Sequence, residues 1–308
     1  MLKKSWIVLA LLACAPALAD DKKHDQAPFE RLVVFGTSLS DAGNFFALTK
    51  SQSTPPDWGV DQFLIPSAPY ARGGHHFSNG PTWIEQFARQ ARVKAVNYAV
   101  GGARARNDGS AVHLSEQVAR FLEESAGGAP ADALYVIEMG GNDIRDALAA
   151  GGGAAGAAIL GGALEAISIN IMQLYVQGAR HFLVWNAPDL GRTPAVIMLD
   201  QMMPGAALGA GLLTQAFNGN LDQMLTQLAG GLPGARFERF DAYAKLNTVL
   251  MHPRLFGLRD VDSACIMPND PPFACGRPDE FLFWDGIHPT RAAHGILAEE
   301  AARVLAAD

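Results

Sequence analysis

Cysteine is scarce in this chain, with three among 308 residues, and their spacing matches no zinc-binding pattern. A cysteine nucleophile is also disfavoured, because Cys265 and Cys275 flank a proline-rich loop and no glycine-rich strand end precedes either of them. We therefore expect neither a metal ion nor another cofactor.

Basic residues are outnumbered: 24 Lys and Arg stand against 31 Asp and Glu, and the net charge is −7. The first nineteen residues contain Lys3 and Lys4 and no acid, so removing them would change the charge from −7 to −9. Binding to nucleic acid requires a basic face that such an acidic chain does not provide. We expect no nucleic-acid partner.

Two glycine-dependent motifs are missing. The nucleophile elbow of α/β-hydrolases needs G-x-S-x-G, and the segment Gly36-Thr37-Ser38-Leu39-Ser40 lacks the second glycine. No phosphate-cradling pattern occurs either, since residues 151–158 are a low-complexity Gly-Ala run that is typical of a flexible lead-in to a helix. These absences argue against an ordinary α/β-hydrolase and against a phosphate-binding loop.

The amino terminus resembles an export signal. Lys3 and Lys4 precede an apolar stretch, and Ala17-Leu18-Ala19 forms an A-x-A cleavage site, so we expect residues 1–19 to be removed from a secreted or periplasmic protein. Lipoprotein processing at Cys14 is the less favoured alternative. No second long apolar run follows, so membrane contact would come through apolar surface around the site.

Cleavage after Ala19 leaves Cys265 and Cys275, and an even pair in an exported protein is typical of a disulfide. Two unpaired buried thiols are the alternative. The enclosed residues 266–274 contain too many prolines for a helix or a central strand, so we expect a stapled loop shortly before Asp285.

Apolar runs at residues 32–35, 93–98, 134–138, 181–186 and 235–240 alternate with helical periodicities. Strands alternating with helices favour an α/β fold with a mainly parallel sheet and helices on both faces. Because the chemically interesting segments extend from residue 38 to residue 288, we expect residues 20–308 to form one domain.

Ser38 follows the first of these strands, where a tight turn would expose its hydroxyl at the carboxyl edge of the sheet. A serine hydroxyl needs a base to become a nucleophile, and Asp285-x-x-His288 supplies a base with a carboxylate beside it. Taken singly, Ser38 and Asp285 are each compatible with helix capping instead.

Two other strands end in glycines. Gly102 follows one, and Gly140-Gly141-Asn142 follows another, so backbone and side-chain N–H groups are available to bind an oxyanion. Each end taken alone is compatible with an ordinary turn between a strand and a helix. The combination of four such segments favours a hydrolase.

These four segments resemble the blocks of the SGNH, or GDSL-type, serine esterases and lipases. The resemblance implies a flavodoxin-like three-layer sandwich in which Ser38 is the nucleophile, His288 the base and Asp285 its carboxylate. It also implies that Gly102, Asn142 and the Ser38 backbone N–H form the oxyanion hole. Residues 77–83 are similar to a segment of the bacterial phospholipase, lecithinase and haemolysin-like branch.

One position departs from the family pattern, because Thr37 stands where the first block normally has Asp. The irregular residues 45–80 follow directly and contain Trp58, Phe63, Tyr70 and Phe77. We expect this segment either to form one wall of the substrate site or to pack on its own aromatic side chains. We expect no role for the adjacent His75 and His76 and place them on a mobile, solvent-facing loop.

The resulting hypothesis is a secreted serine hydrolase of carboxylic esters, with lipid esters favoured by the resemblance. An acyltransferase that passes the acyl group to an alcohol such as a sterol is the first alternative, and an esterase of short-chain esters or acetylated carbohydrates is another. A non-catalytic binding module would have no reason to keep all five site residues. The sequence leaves the oligomeric state open.

Overall fold

The computed structural model describes residues 29–306. The expected signal segment and Cys14 lie outside the described residues. Five strands form the main sheet, and they are β1 (Arg31–Gly36), β2 (Lys94–Asn97), β3 (Ala133–Glu138), β4 (His181–Trp185) and β5 (Arg236–Phe240).

All neighbouring strands of this sheet are parallel, and their order is β2-β1-β3-β4-β5. The central strands are buried on both faces, which explains why β1 and β3 are continuous apolar runs rather than alternating ones. The expected parallel α/β sheet is therefore confirmed. In such a sheet the chain switches direction beside β1, and ligands bind at the carboxyl ends of the strands.

Nine helices surround the strands in the described part of the chain: α1 (Asn44–Thr49), α2 (Trp83–Ala91), α3 (Leu114–Glu124), α4 (Gly141–Ala149), α5 (Gly153–Val176), α6 (Pro194–Met202), α7 (Ala206–Gly231), α8 (Ala242–Met251) and α9 (Arg291–Leu305). A small parallel pair, β6 (Asp260–Ala264) and β7 (Phe281–Phe283), precedes the segment of Asp285 and His288.

Two apolar cores separate the layers. Helices α3, α4, α5 and α7 pack on one face of the sheet, and α2 and α9 pack on the other. This is the three-layer sandwich that the resemblance implies, and the structural comparisons described below confirm the fold.

Helix α5 corrects the expectation that no second long apolar run follows the amino terminus. It begins inside the Gly-Ala run, and among residues 29–306 it alone is long and apolar enough to span a membrane. Its buried side chains, which include Leu160, Ile167, Ile171 and Leu174, belong to the core of the sandwich. A core helix of this composition satisfies the same length and hydropathy criteria as a membrane span, so the pattern is weak support for membrane insertion.

Candidate active site

The turn after β1 presents Ser38 at the carboxyl edge of the sheet. Ser38 is 8% exposed, and the turn is closed by the hydrogen bond that the Ser40 N–H donates to the Thr37 carbonyl. The Thr37 N–H and hydroxyl both donate to the Glu138 carboxylate, at 2.9 and 3.0 Å, and the Ser40 hydroxyl donates to it at 3.1 Å. Three donors from one turn therefore hold the nucleophile loop against the end of β3.

The contact with Glu138 explains why a neutral side chain is suited to position 37. Burial raises the pKa of the Glu138 carboxyl group to about 7, although the hydrogen bonds from Thr37 and Ser40 act in the opposite direction. An aspartate at position 37 would place a second carboxylate against Glu138, and two like charges at this distance destabilise each other. The neutral hydroxyl of Thr37 avoids that repulsion and still ties the turn to β3.

Ser38, His288 and Asp285 form one hydrogen-bonded row. His288 Nε2 lies 2.9 Å from Ser38 Oγ, and His288 Nδ1 lies 2.7 Å from Asp285 Oδ2. An ionised carboxylate can only accept, so Nδ1 carries the proton and Nε2 is left as the acceptor that faces the serine. Asp285 is fully buried and His288 is 4% exposed.

Tyr70 is a further partner of this row that the sequence did not single out. Its hydroxyl donates to Asp285 Oδ2 at 2.8 Å, while Asp285 Oδ1 accepts from the backbone N–H groups of Ile287 and His288. Burial and the neighbouring Asp285 raise the pKa of Tyr70 well above its usual value of 10, so Tyr70 stays a donor. Four hydrogen bonds thus fix the orientation of the carboxylate.

The aromatic residues of the irregular segment divide between the two expected roles. Trp58 and Tyr70 are fully buried and pack edge-on against Trp284, behind Asp285. Phe77 packs against the His288 ring with centroids 5.3 Å apart, and Phe63 lines a groove beside the site. The segment is therefore both a support for the catalytic row and a wall of the site.

Residues 77–83 connect the turn that contains Ser38 with the loop that contains His288. The Ser78 hydroxyl donates to the Pro289 carbonyl at 2.8 Å, and the Trp83 indole N–H donates to the Ser40 hydroxyl at 2.9 Å. The segment therefore contacts both the loop of His288 and the turn of Ser38.

The expectation of a solvent-facing position is wrong for His76, whereas His75 is half-buried. His76 is 7% exposed and its Nε2 lies 2.9 Å from the Glu85 carboxylate of α2, while the His75 ring stacks on Phe46. His75 thus contacts a residue of α1, and His76 contacts a residue of α2. Neither lines the cleft around Ser38.

The oxyanion candidates Gly102 and Asn142 lie in the turn after β2 and in the first turn of α4, which follows β3. Asn142 is 8% exposed and lines the cleft with Ser38 and His288, and its side-chain N–H donates to the Ala103 carbonyl at 2.8 Å. This bond ties the Gly102 turn to the start of α4. The structure thus brings Ser38, Asn142 and His288 to one cleft. Gly102 is exposed and lies at the same edge of the sheet.

Glycine is needed at both positions of this turn, for two different reasons. A Cβ on Gly102 would meet no atom within 4 Å, but the residue has φ +79°, which L side chains rarely adopt. At Gly101 the restriction is steric, because a Cβ would lie 2.1 Å from the Phe77 ring. The turn thus demands one glycine for its conformation and the other for its packing.

Two buried carboxylates hold the Gly101-Gly102 turn. Asp41 accepts from the Gly101 N–H at 2.8 Å and also from the N–H groups at the start of α1. Asp143 accepts from the Ala105 N–H at 2.8 Å and pairs with Arg106. Burial raises the pKa of both carboxyl groups. Neither role was predicted, since each depends on contacts between residues about forty or sixty positions apart.

Cys265 and Cys275 are joined by a disulfide. The enclosed loop lies against the irregular segment: the Asn269 N–H donates to the Pro56 carbonyl, and the Trp58 indole N–H donates to the Phe273 carbonyl at 2.7 Å. The staple therefore supports the aromatic residues behind Asp285, and it does not line the cleft around Ser38.

A much larger apolar groove lies beside the cleft. The cleft itself has a volume of about 70 Å³, and the groove beside it has about 780 Å³. Four residues line both spaces: Arg145, Leu190, Thr193 and Ile287. The groove therefore begins directly beside the cleft that contains Ser38.

Comparison with known proteins identifies the family. The model of the GDSL-like Lipase/Acylhydrolase family matches residues 32–301, which is most of the chain. The chain belongs to this family. Its members are carboxylic ester hydrolases, so the expected resemblance and enzyme class are both confirmed.

Individual relatives are distant. Phosphatidylcholine-sterol acyltransferase of Aeromonas hydrophila is 27% identical, over 98% of this chain and 97% of that protein. Thermolabile hemolysin of Vibrio parahaemolyticus is 25% identical, over 92% of this chain and 65% of that protein. The crystal structure of Axe2, an acetylxylan esterase from Geobacillus stearothermophilus, shares the fold with a TM-score of 0.51 at 14% identity, covering 91% of this chain and 96% of that one.

Proposed function

We propose that the protein is an exported serine hydrolase that cleaves carboxylic esters of lipids through an acyl-enzyme on Ser38. The observation that carries the proposal is the row in which His288 Nε2 lies 2.9 Å from Ser38 Oγ and Nδ1 lies 2.7 Å from Asp285. This arrangement opens into a cleft, whereas a histidine that only stabilised the fold would have no reason to face an accessible serine.

The geometry supports a two-step reaction. As Ser38 Oγ attacks the ester carbonyl, His288 Nε2 takes its proton, and Asp285 stabilises the imidazolium through Nδ1. His288 then gives the proton to the leaving alcohol, which departs and leaves the acyl group on Ser38. A water molecule, deprotonated by His288, attacks the acyl-enzyme, and the fatty acid is released as Ser38 regains its proton.

Stabilisation of the tetrahedral intermediate falls to the Ser38 N–H, the Gly102 N–H and the Asn142 side chain. Asn142 Nδ2 donates one of its two hydrogens to the Ala103 carbonyl, which leaves the other for the oxyanion. The bond to the Ala103 carbonyl also fixes which end of the Asn142 amide is the donor. Such preoriented donors contribute most where charge develops in the transition state.

Two observations favour lipid esters. The 780 Å³ groove that joins the cleft is lined mainly by apolar side chains, among them Phe63, Val196, Leu199 and Leu213. The relative from Aeromonas hydrophila is named for a phosphatidylcholine acyl donor and a sterol acceptor. An acetylated carbohydrate would leave this apolar surface unused, so a long acyl chain fits the groove better.

The same relative supports an acyltransferase as the second candidate. Hydrolysis and acyl transfer share the acyl-enzyme and differ in whether water or an alcohol attacks it. Export follows from the A-x-A signal at residues 17–19 and agrees with the Cys265–Cys275 disulfide, since such bonds persist in oxidising compartments.

Product analysis tests the proposal. The protein is incubated with phospholipids, lysophospholipids, short-chain esters and acetylated sugars, with and without a sterol, and released acids and sterol esters are quantified by mass spectrometry. We expect free fatty acid from the long-chain lipids. Activity confined to acetylated sugars would overturn the lipid assignment, and sterol ester in excess of free acid would favour the transferase.

A further inference from the structure

Helix α4 leads from the catalytic cleft into the apolar groove. Asn142, Arg145 and Ala149 follow one another at helical spacing on this helix, and the first lines the cleft while the last lines the groove. Arg145 lines both. An acyl chain that extends from Ser38 into the groove therefore crosses the boundary at which Arg145 lies.

The charge of Arg145 is unusual in these surroundings. Among the described residues that line the groove, Asp61 is the one ionisable side chain besides Arg145, and its Oδ1 already accepts from the N–H groups of Phe63 and Ile65. The neighbouring Arg104 and Arg106 are paired with Asp143 and Asp146. The groove is thus lined mainly by apolar side chains, and Arg145 is the cation at the end nearest the serine.

Arg145 has no such carboxylate partner. Within residues 29–306 its guanidinium forms one hydrogen bond, to Asn142 Oδ1 at 3.2 Å, and no ion pair. Burial and the nearby Arg104 lower the pKa of Arg145, so its charged form lacks part of the stabilisation that water would give. A guanidinium has five N–H donors in a planar fork that matches the oxygens of a phosphate, and most of them are unused here.

We propose that Arg145 determines specificity by binding the phosphate diester of a glycerophospholipid whose acyl carbonyl lies at Ser38. The inference rests on the proposed lipid hydrolase. In a glycerophospholipid the phosphate lies only a few bonds from the ester carbonyl, so both groups can reach neighbouring residues of one helix turn. A neutral glyceride or an acetylated sugar has no anion to offer at this position.

The test compares two lipids with the same acyl chain, a lysophosphatidylcholine and a neutral monoacylglycerol, each in neutral detergent micelles at one surface concentration. Arg145→Gln removes the charge, Arg145→Lys keeps it without the fork, and Arg192→Gln is the matched control because Arg192 is exposed and lines neither space. Rates are measured for parent and variants on both lipids, and folding is checked by thermal unfolding.

We expect Arg145→Gln to lower kcat/KM on the phospholipid by roughly ten- to a hundredfold, as loss of a charge-assisted hydrogen bond implies, and to change it less than about threefold on the neutral lipid. Arg145→Lys should lie between, and Arg192→Gln should match the parent. Glycerophosphocholine should inhibit the parent on the neutral lipid more strongly than inorganic phosphate does, and this inhibition should be lost in Arg145→Gln.

Equal losses on both lipids would overturn the proposal and make Arg145 a positioning residue for Asn142. Unchanged rates on both would overturn it as well, and equal inhibition by inorganic phosphate would show an anion site without headgroup recognition. Failure of the proposed function gives a different result, because the parent protein would then hydrolyse neither lipid.

Discussion

The carboxyl group of Glu138 should make the protein less stable as the pH rises, and replacing it with glutamine should remove this dependence. Glu138 is 5% exposed, and burial raises its pKa from the usual 4.5 to about 7. Glutamine has the same shape, and its amide can still accept from the Thr37 N–H and donate to the hydroxyl of Thr37 or Ser40. Glu138→Gln therefore isolates the charge.

The sign and the magnitude follow from these two pKa values. Below pH 4.5 Glu138 is protonated in the folded and the unfolded chain, and its ionisation costs nothing. Between pH 4.5 and about 7 the unfolded chain releases the proton first, so stability falls as the pH rises. Because one pKa unit corresponds to about 1.4 kcal/mol, the full cost above pH 7 is about 3 kcal/mol.

The assay is denaturant unfolding of the parent and Glu138→Gln from pH 4 to pH 8. The difference in the free energy of unfolding, variant minus parent, should increase by about 3 kcal/mol across this range, mostly between pH 4.5 and 7. Glu165→Gln, at an exposed position of α5, serves as the control and should run parallel to the parent. A difference between parent and Glu138→Gln that does not change with pH would refute the reasoning.

Four further predictions concern the site. Ser38→Ala and His288→Ala should each lower kcat by several orders of magnitude without unfolding the protein, because the row acts as a unit; near-parental esterase rates in either folded variant would contradict this. Asn142→Ala should lower kcat by roughly a hundred to a thousand times with little change in KM, and a rise in KM alone would instead mark Asn142 as a ground-state binding residue. Tyr70→Phe should lower kcat by about tenfold through loss of its bond to Asp285, whereas Tyr175→Phe, at a distant tyrosine, should match the parent. The double variant Cys265→Ser, Cys275→Ser should lower the free energy of unfolding by about 2 to 3 kcal/mol. It should also slow the hydrolysis of a water-soluble ester and of a lipid alike, because the loop supports the residues behind Asp285. A change confined to the lipid would show instead that the loop takes part in acyl binding.

Much of the fold could be predicted because the central parallel strands β1, β3 and β4 are buried on both faces and therefore form continuous apolar runs. The same runs located the strand ends, and with them Ser38, Gly102 and Asn142. Short helices with little apolar periodicity were missed. Helix α4 is one of them, since its first turn contains Asn142 and Asp143, whose polarity indicates a turn rather than a helix.

The supporting residues of the site could not be predicted, because their roles exist only between segments that the fold brings together. Tyr70 lies 215 positions from Asp285, and Glu138 lies 101 positions from Thr37. His76 was wrongly expected in solvent for the same reason, since its partner Glu85 becomes a neighbour only when the preceding turn folds onto α2. A tyrosine or glutamate in an apolar stretch does not reveal which distant group it will contact.

Covalent labelling of the serine tests the central claim most directly. The protein is treated with a fluorophosphonate, digested, and mapped by mass spectrometry, with His288→Ala and Ser40→Ala as comparison variants. We predict a single adduct on Ser38 that forms in step with loss of esterase activity, forms far more slowly in His288→Ala, and stays on Ser38 in Ser40→Ala. Loss of activity with the adduct on another residue, or full activity with Ser38 completely labelled, would contradict the assignment of Ser38 as the nucleophile.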